Sequence, residues 1–456
     1  MPHDPALWVF HVKHTRALLI NPYIYDVSAY SFWSAPLGLL YVGSILRENG
    51  FDIQLIDCLT ADETKRKPDG RAPFVWTKVA NPRVAPAVKK RFKRYGTSPS
   101  LLQSKLEALE PPDLILVTSL MTYWYPGAVE VVALARRVFP AAKIVVGGLY
   151  PSLCHEHARK NLGADLIVGG GAISDLYHYI EEALARPLSF KPNVEDLRIL
   201  PYPCFGLYGK PAYVPLLTSL GCAYRCTYCA THYLHPQIVR RLPQEVVREI
   251  VYWHDRGCSR FALYDDSFLL ERDTYAKPFL RAVSRLPFAV SFRNPNALNA
   301  SMVDEETAMM LREAGFLEVR LGLETADAKL QKETGGKTDS RGFEKAVASL
   351  KRAGFEDGSI CVYVLAGLPF QQASEVKNSI DYVANLGLRV SLAQYSPIPH
   401  TPLFEAYHTM ARYPVADEPL FQNNALFPFA WEGFTEEELN ELKAGVRERN
   451  ALLGTG

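Results

Sequence analysis

Leu220-Gly-Cys-Ala-Tyr-Arg-Cys-Thr-Tyr-Cys-Ala230 places three cysteines, Cys222, Cys226 and Cys229, within eight residues. The spacing is Cys-x3-Cys-x2-Cys, with an aromatic residue, Tyr228, directly before the last thiol. A [4Fe–4S] cluster normally takes four thiolates, so a loop that offers three leaves one iron open. An open coordination position is what separates a catalytic metal site from a structural one. Gly221 lets the backbone turn tightly where the loop begins. We read the loop as a cluster site. Tetrahedral zinc is the alternative, with His232 or His235 as the fourth ligand, and three unliganded buried thiols are the third reading.

Outward from this loop, strand-like runs recur with helical sequence between them, at 216–220, 260–264, 288–292, 317–322, 359–365 and 389–394. Six β–α units are too few for a closed eight-stranded barrel, but they resemble the open, partial barrel of the radical S-adenosylmethionine superfamily. Functional residues of such barrels sit at the carboxyl ends of the strands. Polar residues cluster there in Tyr264-Asp-Asp-Ser-Phe268, Arg293-Asn-Pro-Asn296 and Gly322-Leu-Glu-Thr325, and Gly367-Leu-Pro369 follows the fifth run.

Upstream, from Arg16 to about Glu182, short β-branched runs alternate with longer amphipathic ones. Strands are predicted at 17–21, 51–57, 114–118, 143–147 and 165–168, and helices at 36–49, 127–139 and 152–161. The continuous apolar runs suit a parallel sheet covered on both faces, and repeated β–α units build a doubly wound sheet. Ligands of such sheets bind at the strands' carboxyl ends. The loops to watch are therefore 21–33, 119–126, 147–151 and 169–174. Three consecutive aromatics, Tyr123, Trp124 and Tyr125, either cover a flat macrocycle or close the active site there, or else seal a contact between domains. The insertion 61–96 carries eleven Lys or Arg against three acids. A solvated, partly flexible loop is the ordinary reading of such a run, and attraction of anionic groups is the alternative.

The cysteine loop resembles the radical S-adenosylmethionine (SAM) superfamily, whose shared motif is Cys-x3-Cys-x-aromatic-Cys. The resemblance implies that the open iron chelates the amino and carboxylate groups of SAM. Electron transfer into the sulfonium then releases methionine and a 5′-deoxyadenosyl radical. It also implies roles around the barrel mouth. Tyr228 packs near the adenine, Asp265 and Asp266 accept hydrogen bonds from the methionine ammonium, and Asn294 offers an amide to the cavity. Glu324 contacts the ribose or amino group, and the backbone at Gly367 runs close to the adenine.

The first half resembles the cobalamin-binding domain of cobalamin-dependent radical SAM enzymes. The matches are residues 36–50, Ser119 after the third strand and Gly147-Gly148 after the fourth, which implies cobalamin contacts at Ser119, Gly147 and Gly148. Two departures stand beside them. Asn21-Pro-Tyr-Ile-Tyr-Asp26 carries no histidine where Asp-x-His-x-x-Gly is found in the best-known cobalamin motif, and Gly169-Gly-Gly-Ala-Ile-Ser174 replaces the usual Gly-Glu-Gly-Glu.

The fold class is α/β: a cobalamin-binding-like doubly wound domain over 15–185, a linker over 186–212, a partial (β/α)6 radical SAM barrel over 213–400 and a helical C-terminal cap over 401–456. A terminal helix is expected near 436–453 with Thr435 as N-cap. A net charge of +1 over 456 residues gives no reason to expect nucleic acid or an anionic membrane. The start, residues 1–13, lacks the order of a signal peptide, and no apolar run reaches the roughly 20 residues that span a bilayer, so the expected location is cytoplasmic. Cys58, Cys258 and Cys361 read as core residues, Cys204 lies in the linker, and His400 reads as a structural loop histidine. The functional expectation is reductive SAM cleavage with a [4Fe–4S] cluster, a reductant such as flavodoxin or ferredoxin, and cobalamin-dependent methylation of an unactivated carbon. The alternatives are cobalamin-independent rearrangement, oxidation or carbon–carbon coupling beside a vestigial first domain, and a non-catalytic iron–sulfur or corrinoid-binding protein. The substrate is not legible.

Overall fold

The computed structural model describes residues 15–86, 88–170, 173–194 and 196–453. The opening segment 1–13, and residues 171 and 172 of the 169–174 loop, lie outside the described residues.

The first unit is a five-stranded parallel sheet of β1 (Arg16–Asn21), β2 (Asp52–Asp57), β3 (Leu114–Ser119), β4 (Lys143–Gly148) and β5 (Leu166–Ile167). Its order is β2-β1-β3-β4-β5, so strand order reverses between β1 and β3. Because side chains alternate across a strand, the apolar runs feed two cores. Leu19, Leu116 and Val145 face one, and Ile20, Val117 and Val146 face the other.

The second unit is an incomplete barrel of parallel strands: β6 (Val214–Leu216), β7 (Arg260–Leu263), β8 (Ser291–Arg293), β9 (Leu298–Asn299), β10 (Val319–Glu324), β11 (Ile360–Ala366) and β12 (Arg389–Gln394). It forms two ladders, β8-β7-β6 and β9-β10-β11-β12. The seam between them is bridged by a side chain. Asn294 donates to the Arg320 carbonyl at 2.9 Å and accepts from the Arg320 N–H at 3.1 Å, extending a single backbone bridge between Phe292 and Phe316.

Three expectations are corrected here. The run 216–220 is not one strand. The buried Asp265 carboxylate takes the Thr218 N–H and hydroxyl and the Ser219 hydroxyl, so the chain leaves the ladder after Leu216. Ser219–Leu220 then pairs antiparallel with Val239–Arg240. The basic insertion is ordered: Ile24–Asp26, Lys93–Tyr95 and Trp76–Lys78 form a small antiparallel sheet around Phe74, Tyr95 and Trp124. Many of its cations are paired, as in Lys65–Asp62 at 2.8 Å, Arg71–Asp69 at 2.7 Å and Lys90–Glu436 at 2.7 Å. The C-terminal segment covers more than the barrel. Phe404, Val415, Leu420 and Phe421 pack with Tyr125 and Tyr150 of the first unit, and Asn423 donates to Asp26 at 2.8 Å.

The terminal helix Glu436–Leu452 starts in a capping box at Thr435 and returns to the barrel, where Asn450 pairs with both backbone groups of Val390. Burial and the nearby Lys90 charge lower Lys443 on this helix to about 8. The unfolded chain, with an ordinary lysine, therefore binds more protons between about pH 8 and the usual lysine value, and this group's contribution makes stability rise with pH across that window. Lys443→Met should flatten that part of a Tm-versus-pH curve and raise Tm near pH 7. An unchanged profile contradicts the assignment.

Candidate active site

The cysteine loop is held from three sides. At its start, Gly221 has φ +83°, and a β-carbon there would lie 2.4 Å from the Gln237 carbonyl oxygen. Its N–H donates to Asp266 Oδ2 at 2.8 Å. In the middle, the Thr227 N–H donates to the Thr334 carbonyl at 3.2 Å. Gly335 presses against the second cysteine so closely that a β-carbon would sit 2.9 Å from Cys226 Cα and 3.1 Å from its Sγ. At the end, the Cys229 N–H closes a turn on the Cys226 carbonyl at 3.1 Å, and Cys229 Sγ lies 3.1 Å from the Thr231 hydroxyl.

All three thiols are free and half-buried. Burial pushes Cys222 and Cys226 up, while the Lys337 ammonium pulls both down. Among the described residues no three His, Cys, Asp or Glu side chains converge on a single ion. His232 Nε2 is already donating to the Tyr224 carbonyl. The other five cysteines lie elsewhere: Cys58, Cys204, Cys258 and Cys361 are buried, and Cys154 faces Gln422. Three thiols from one loop are a donor set that a [4Fe–4S] cluster with one open iron would take.

Behind the loop is a narrow recess lined by Cys226, Tyr228, Gly322, Glu324 and Lys337. Glu324 ends β10 with φ +65°, where the register with β11 shifts. Its carboxylate turns back over Gly322, so that a β-carbon on Gly322 would lie 2.9 Å from Glu324 Oε1 and 3.8 Å from Lys337 Nζ. Burial drives the Glu324 carboxyl up, opposed by Lys337 and by a hydrogen bond from Tyr228. Burial, followed by the charge of Glu324, pushes the Tyr228 phenol up as well. The recess thus pairs a desolvated acid with a cation beside the second cysteine.

Other predicted residues do different work. Asp265, 2 % exposed, spends its carboxylate on Thr218 and Ser219, so it anchors the loop and is not a free ammonium acceptor. Asp266 holds Gly221. Asn294, also 2 % exposed, stitches the barrel seam and offers no amide to the cavity. The space a side chain would need at Gly367, φ +89°, is taken by the Phe427 ring at 2.7 Å, and the Gly367 N–H donates to Gln371 at 2.8 Å. Asp265→Ala would strand three buried donors, at about 1–3 kcal/mol each if they stay unpaired. We expect a urea midpoint well below wild type and a loss of cluster yield, and wild-type values for both contradict the anchor role.

At the other sheet, Ser119 turns its hydroxyl to the Met121 carbonyl at 3.0 Å. Gly148, φ +104°, is exposed at the end of β4, and a β-carbon there would lie 2.6 Å from the Ser119 carbonyl oxygen. Leu149 and Met121 are exposed beside it. Gly148 is held to glycine by the close approach of the β3 backbone. The aromatics 123–125 do not lie open over it. Trp124 donates to the buried Asp26 at 2.7 Å, Tyr125 stacks on Tyr150 with centroids 5.2 Å apart, and the Tyr125 hydroxyl reaches Glu418 at 3.1 Å. Sealing is their role. A separate cavity of about 300 Å³ opens at the ends of β1 and β2. Its wall includes Asp57, which accepts from Asn21, the Leu59 N–H and Tyr208.

The loop after β1 enters the second unit. The Phe32 ring lies 4.8 Å from the Arg320 guanidinium of β10, the Tyr264 hydroxyl donates to the Phe32 carbonyl at 2.7 Å, and the Tyr213 hydroxyl donates to the Ser34 carbonyl at 3.0 Å. Sequence reasoning missed this contact, and it also missed Lys337, Gly335 and Phe427. Only the paired glycines before Lys337 gave a local signal.

With this geometry in place, comparison with known proteins is decisive for the barrel: residues 216–383 match the family model of the Radical SAM superfamily. Residues 216–383 are a radical SAM domain. Similarity extends beyond that domain. The chain is 23% identical over 386 residues to cytidylyl-2-hydroxyethylphosphonate methyltransferase of Streptomyces wedmorensis, covering 70% of this chain and 67% of that protein. It is 21% identical over 319 residues to the anaerobic magnesium-protoporphyrin IX monomethyl ester cyclase of Synechocystis sp., covering 64% of this chain and 57% of that protein. Among solved structures, the radical SAM methyltransferase TsrM from Kitasatospora setae, with cobalamin and a [4Fe–4S] cluster bound, superposes with a TM-score of 0.65 at 18% identity. That match covers 97% of this chain and 91% of TsrM. The two-unit fold around the radical SAM domain is therefore shared along nearly the whole chain. Among the described residues no helix is long and apolar enough to cross a membrane.

Proposed function

We propose that this chain is a cytoplasmic enzyme that binds a [4Fe–4S] cluster at Cys222, Cys226 and Cys229, cleaves SAM reductively and methylates an unactivated carbon with cobalamin. The observation that carries the reading is the recess of Glu324, Tyr228 and Lys337 directly behind Cys226. When bound, the cluster supplies the electron that breaks the sulfonium bond, and cobalamin supplies a methyl carrier.

The chain's own residues bind, orient and exclude water. Asp265 and Asp266 fix the start of the cysteine loop. Glu324, half-buried and adjacent, accepts from the ribose or amino group of SAM through its carboxylate. Lys337 offsets the negative charge gathered by three thiolates and Glu324. Phe32 and Trp33 pack against Arg320 and occupy space that water would otherwise fill. Gly147 and Gly148 let a corrinoid approach the sheet. The loop over 21–26 contains no histidine, so cobalamin held there takes no lower ligand from it. The methyltransferase names of the Streptomyces relative and of TsrM support methyl transfer.

That same missing histidine favours a second reading, radical SAM chemistry without cobalamin. Corrinoid content decides between them. In protein purified without oxygen from a cobalamin-fed host, near-stoichiometric corrinoid by mass spectrometry is expected. Full cluster iron with no corrinoid would transfer the proposal to rearrangement, oxidation or coupling chemistry.

A further inference from the structure

We propose that Arg293 and Arg320 form the anion-binding end of the substrate site, and that the substrate carries a carboxylate or a phosphoryl group that pairs with them inside the barrel. The inference rests on the radical SAM reading above and names the substrate class of that site.

Side-chain alternation along the strands sets the place. Phe292, Val319, Val362 and Val390 turn outward into the apolar core, so Arg293 on β8, Arg320 on β10, Tyr363 on β11 and Arg389 on β12 turn into the barrel. Arg320, Cys361 and Arg389 are register partners across three adjacent strands. Asn294 binds both backbone groups of Arg320, which brings the end of β8 level with them. Inside a protein, cations are normally matched by carboxylates. Here they are outnumbered. Glu318 is shared between Arg320 at 2.6 Å and Arg389 at 3.2 Å. Asp69 is spent on Arg71 at 2.7 Å, and the Arg71 guanidinium lies 4.0 Å from the Trp33 ring centroid. Four guanidiniums (Arg71, Arg293, Arg320 and Arg389) thus meet two carboxylates, Asp69 and Glu318.

Arg293 is the cation left over. Its Nη1 donates to the Phe292 carbonyl at 3.0 Å, and among the described residues it makes no ion pair. Burial lowers its guanidinium below the ordinary arginine value, Glu318 and Asp69 oppose the fall, and Arg71 and Arg320 add to it. Arg320 points to a ligand independently. It is 4 % exposed, its Nη1 donates to the Tyr363 hydroxyl at 3.2 Å, and its Nε is buried without a hydrogen-bond partner. An oxyanion held here supplies the missing charge and the missing acceptor together, and the arginine fork suits a group with two oxygens. The Phe32 ring over Arg320, at 4.8 Å, keeps water away and strengthens the pairing. Arg320 precedes Glu324 by four residues on β10, about 13 Å by strand rise. A substrate anchored at this end extends its carbon chain toward the SAM recess.

The test uses the full chain with its cluster loaded and reads phenylglyoxal labelling of individual arginines by peptide mass spectrometry. Sodium phosphate, sodium acetate and sodium chloride are compared at equal ionic strength. Arg293 should label, and phosphate or acetate should slow that labelling roughly threefold or more relative to chloride, by mass action. Exposed Arg341 should label equally in all three salts. Protection by phosphate alone assigns a phosphoryl group to the substrate, and protection by acetate assigns a carboxylate. Arg320→Gln should abolish the protection while Arg293 still labels, and Arg320→Lys, which keeps the charge beside Glu318, should retain it. Protection that survives Arg320→Gln removes Arg320 from the site. Equal labelling of wild-type Arg293 in the three salts overturns the proposal, and so does an Arg293 that never labels. The same sample is then given SAM and dithionite. Formation of 5′-deoxyadenosine without anion protection overturns the anion site alone. Protection without 5′-deoxyadenosine overturns the radical reading, and the substrate assignment falls with it.

Discussion

Replacing Cys222, Cys226 and Cys229 together with alanine should remove the cluster's iron, sulfide and visible absorbance, and 5′-deoxyadenosine formation should fall to background. The effect is large because, in the proposed site, these three thiolates are the whole protein donor set, and Cys58, Cys204, Cys258 and Cys361 are buried elsewhere in the fold. Each single replacement should behave almost as severely, since a cubane held by two thiolates loses its fixed open corner. Far-UV circular dichroism should change little, because the thiols are only half-buried and the loop is held by Asp265, Asp266 and Thr334 through oxygen and nitrogen. Cys361→Ala, in the barrel core, should keep the cluster and the activity. A triple variant that still makes 5′-deoxyadenosine would contradict the site.

Glu324→Gln should have the second largest effect. The substitution keeps shape and removes charge at a half-buried carboxylate, where a charge-assisted hydrogen bond counts for more than in open water. Losing one such bond costs about 1.5–3 kcal/mol, or roughly 10- to 100-fold in affinity. Equilibrium dialysis of the cluster-loaded protein should show that loss for SAM, with iron content unchanged. Lys337→Gln makes an instructive companion, because Lys337 offsets the same carboxylate. In combination, the two should be less than additive, as expected of side chains that interact directly. Wild-type affinity for SAM in Glu324→Gln would remove Glu324 from the site.

Much of this architecture was legible because it rests on local pattern. The β1, β3 and β4 strands carry continuous apolar runs at 17–20, 114–117 and 144–146, which a parallel sheet buried on both faces demands, and the cysteine spacing is read without any tertiary information. The capping box at Thr435 is equally local. What escaped depends on contacts far apart in the chain. Asp265 and Asn294 stand at strand ends, where a polar residue reads as a ligand contact, yet their partners Thr218, Ser219 and Arg320 turn them into internal fasteners. The insertion 61–96 reads as a solvated loop by composition, but its alternation places Phe74 and Tyr95 against Ile24 and Trp124. Lys337 is close to Cys226 only because residues 334 and 335 fold against the loop, more than a hundred positions downstream.

The central claim is that the cysteine loop and the Glu324 recess act together on SAM. The most direct measurement is the yield of 5′-deoxyadenosine and methionine, by mass spectrometry, from anaerobic, cluster-loaded protein given SAM and dithionite. Both products are expected in equal amounts, dependent on reductant and absent from Cys226→Ala. A protein with full cluster iron and bound SAM that forms neither product under reduction would contradict it.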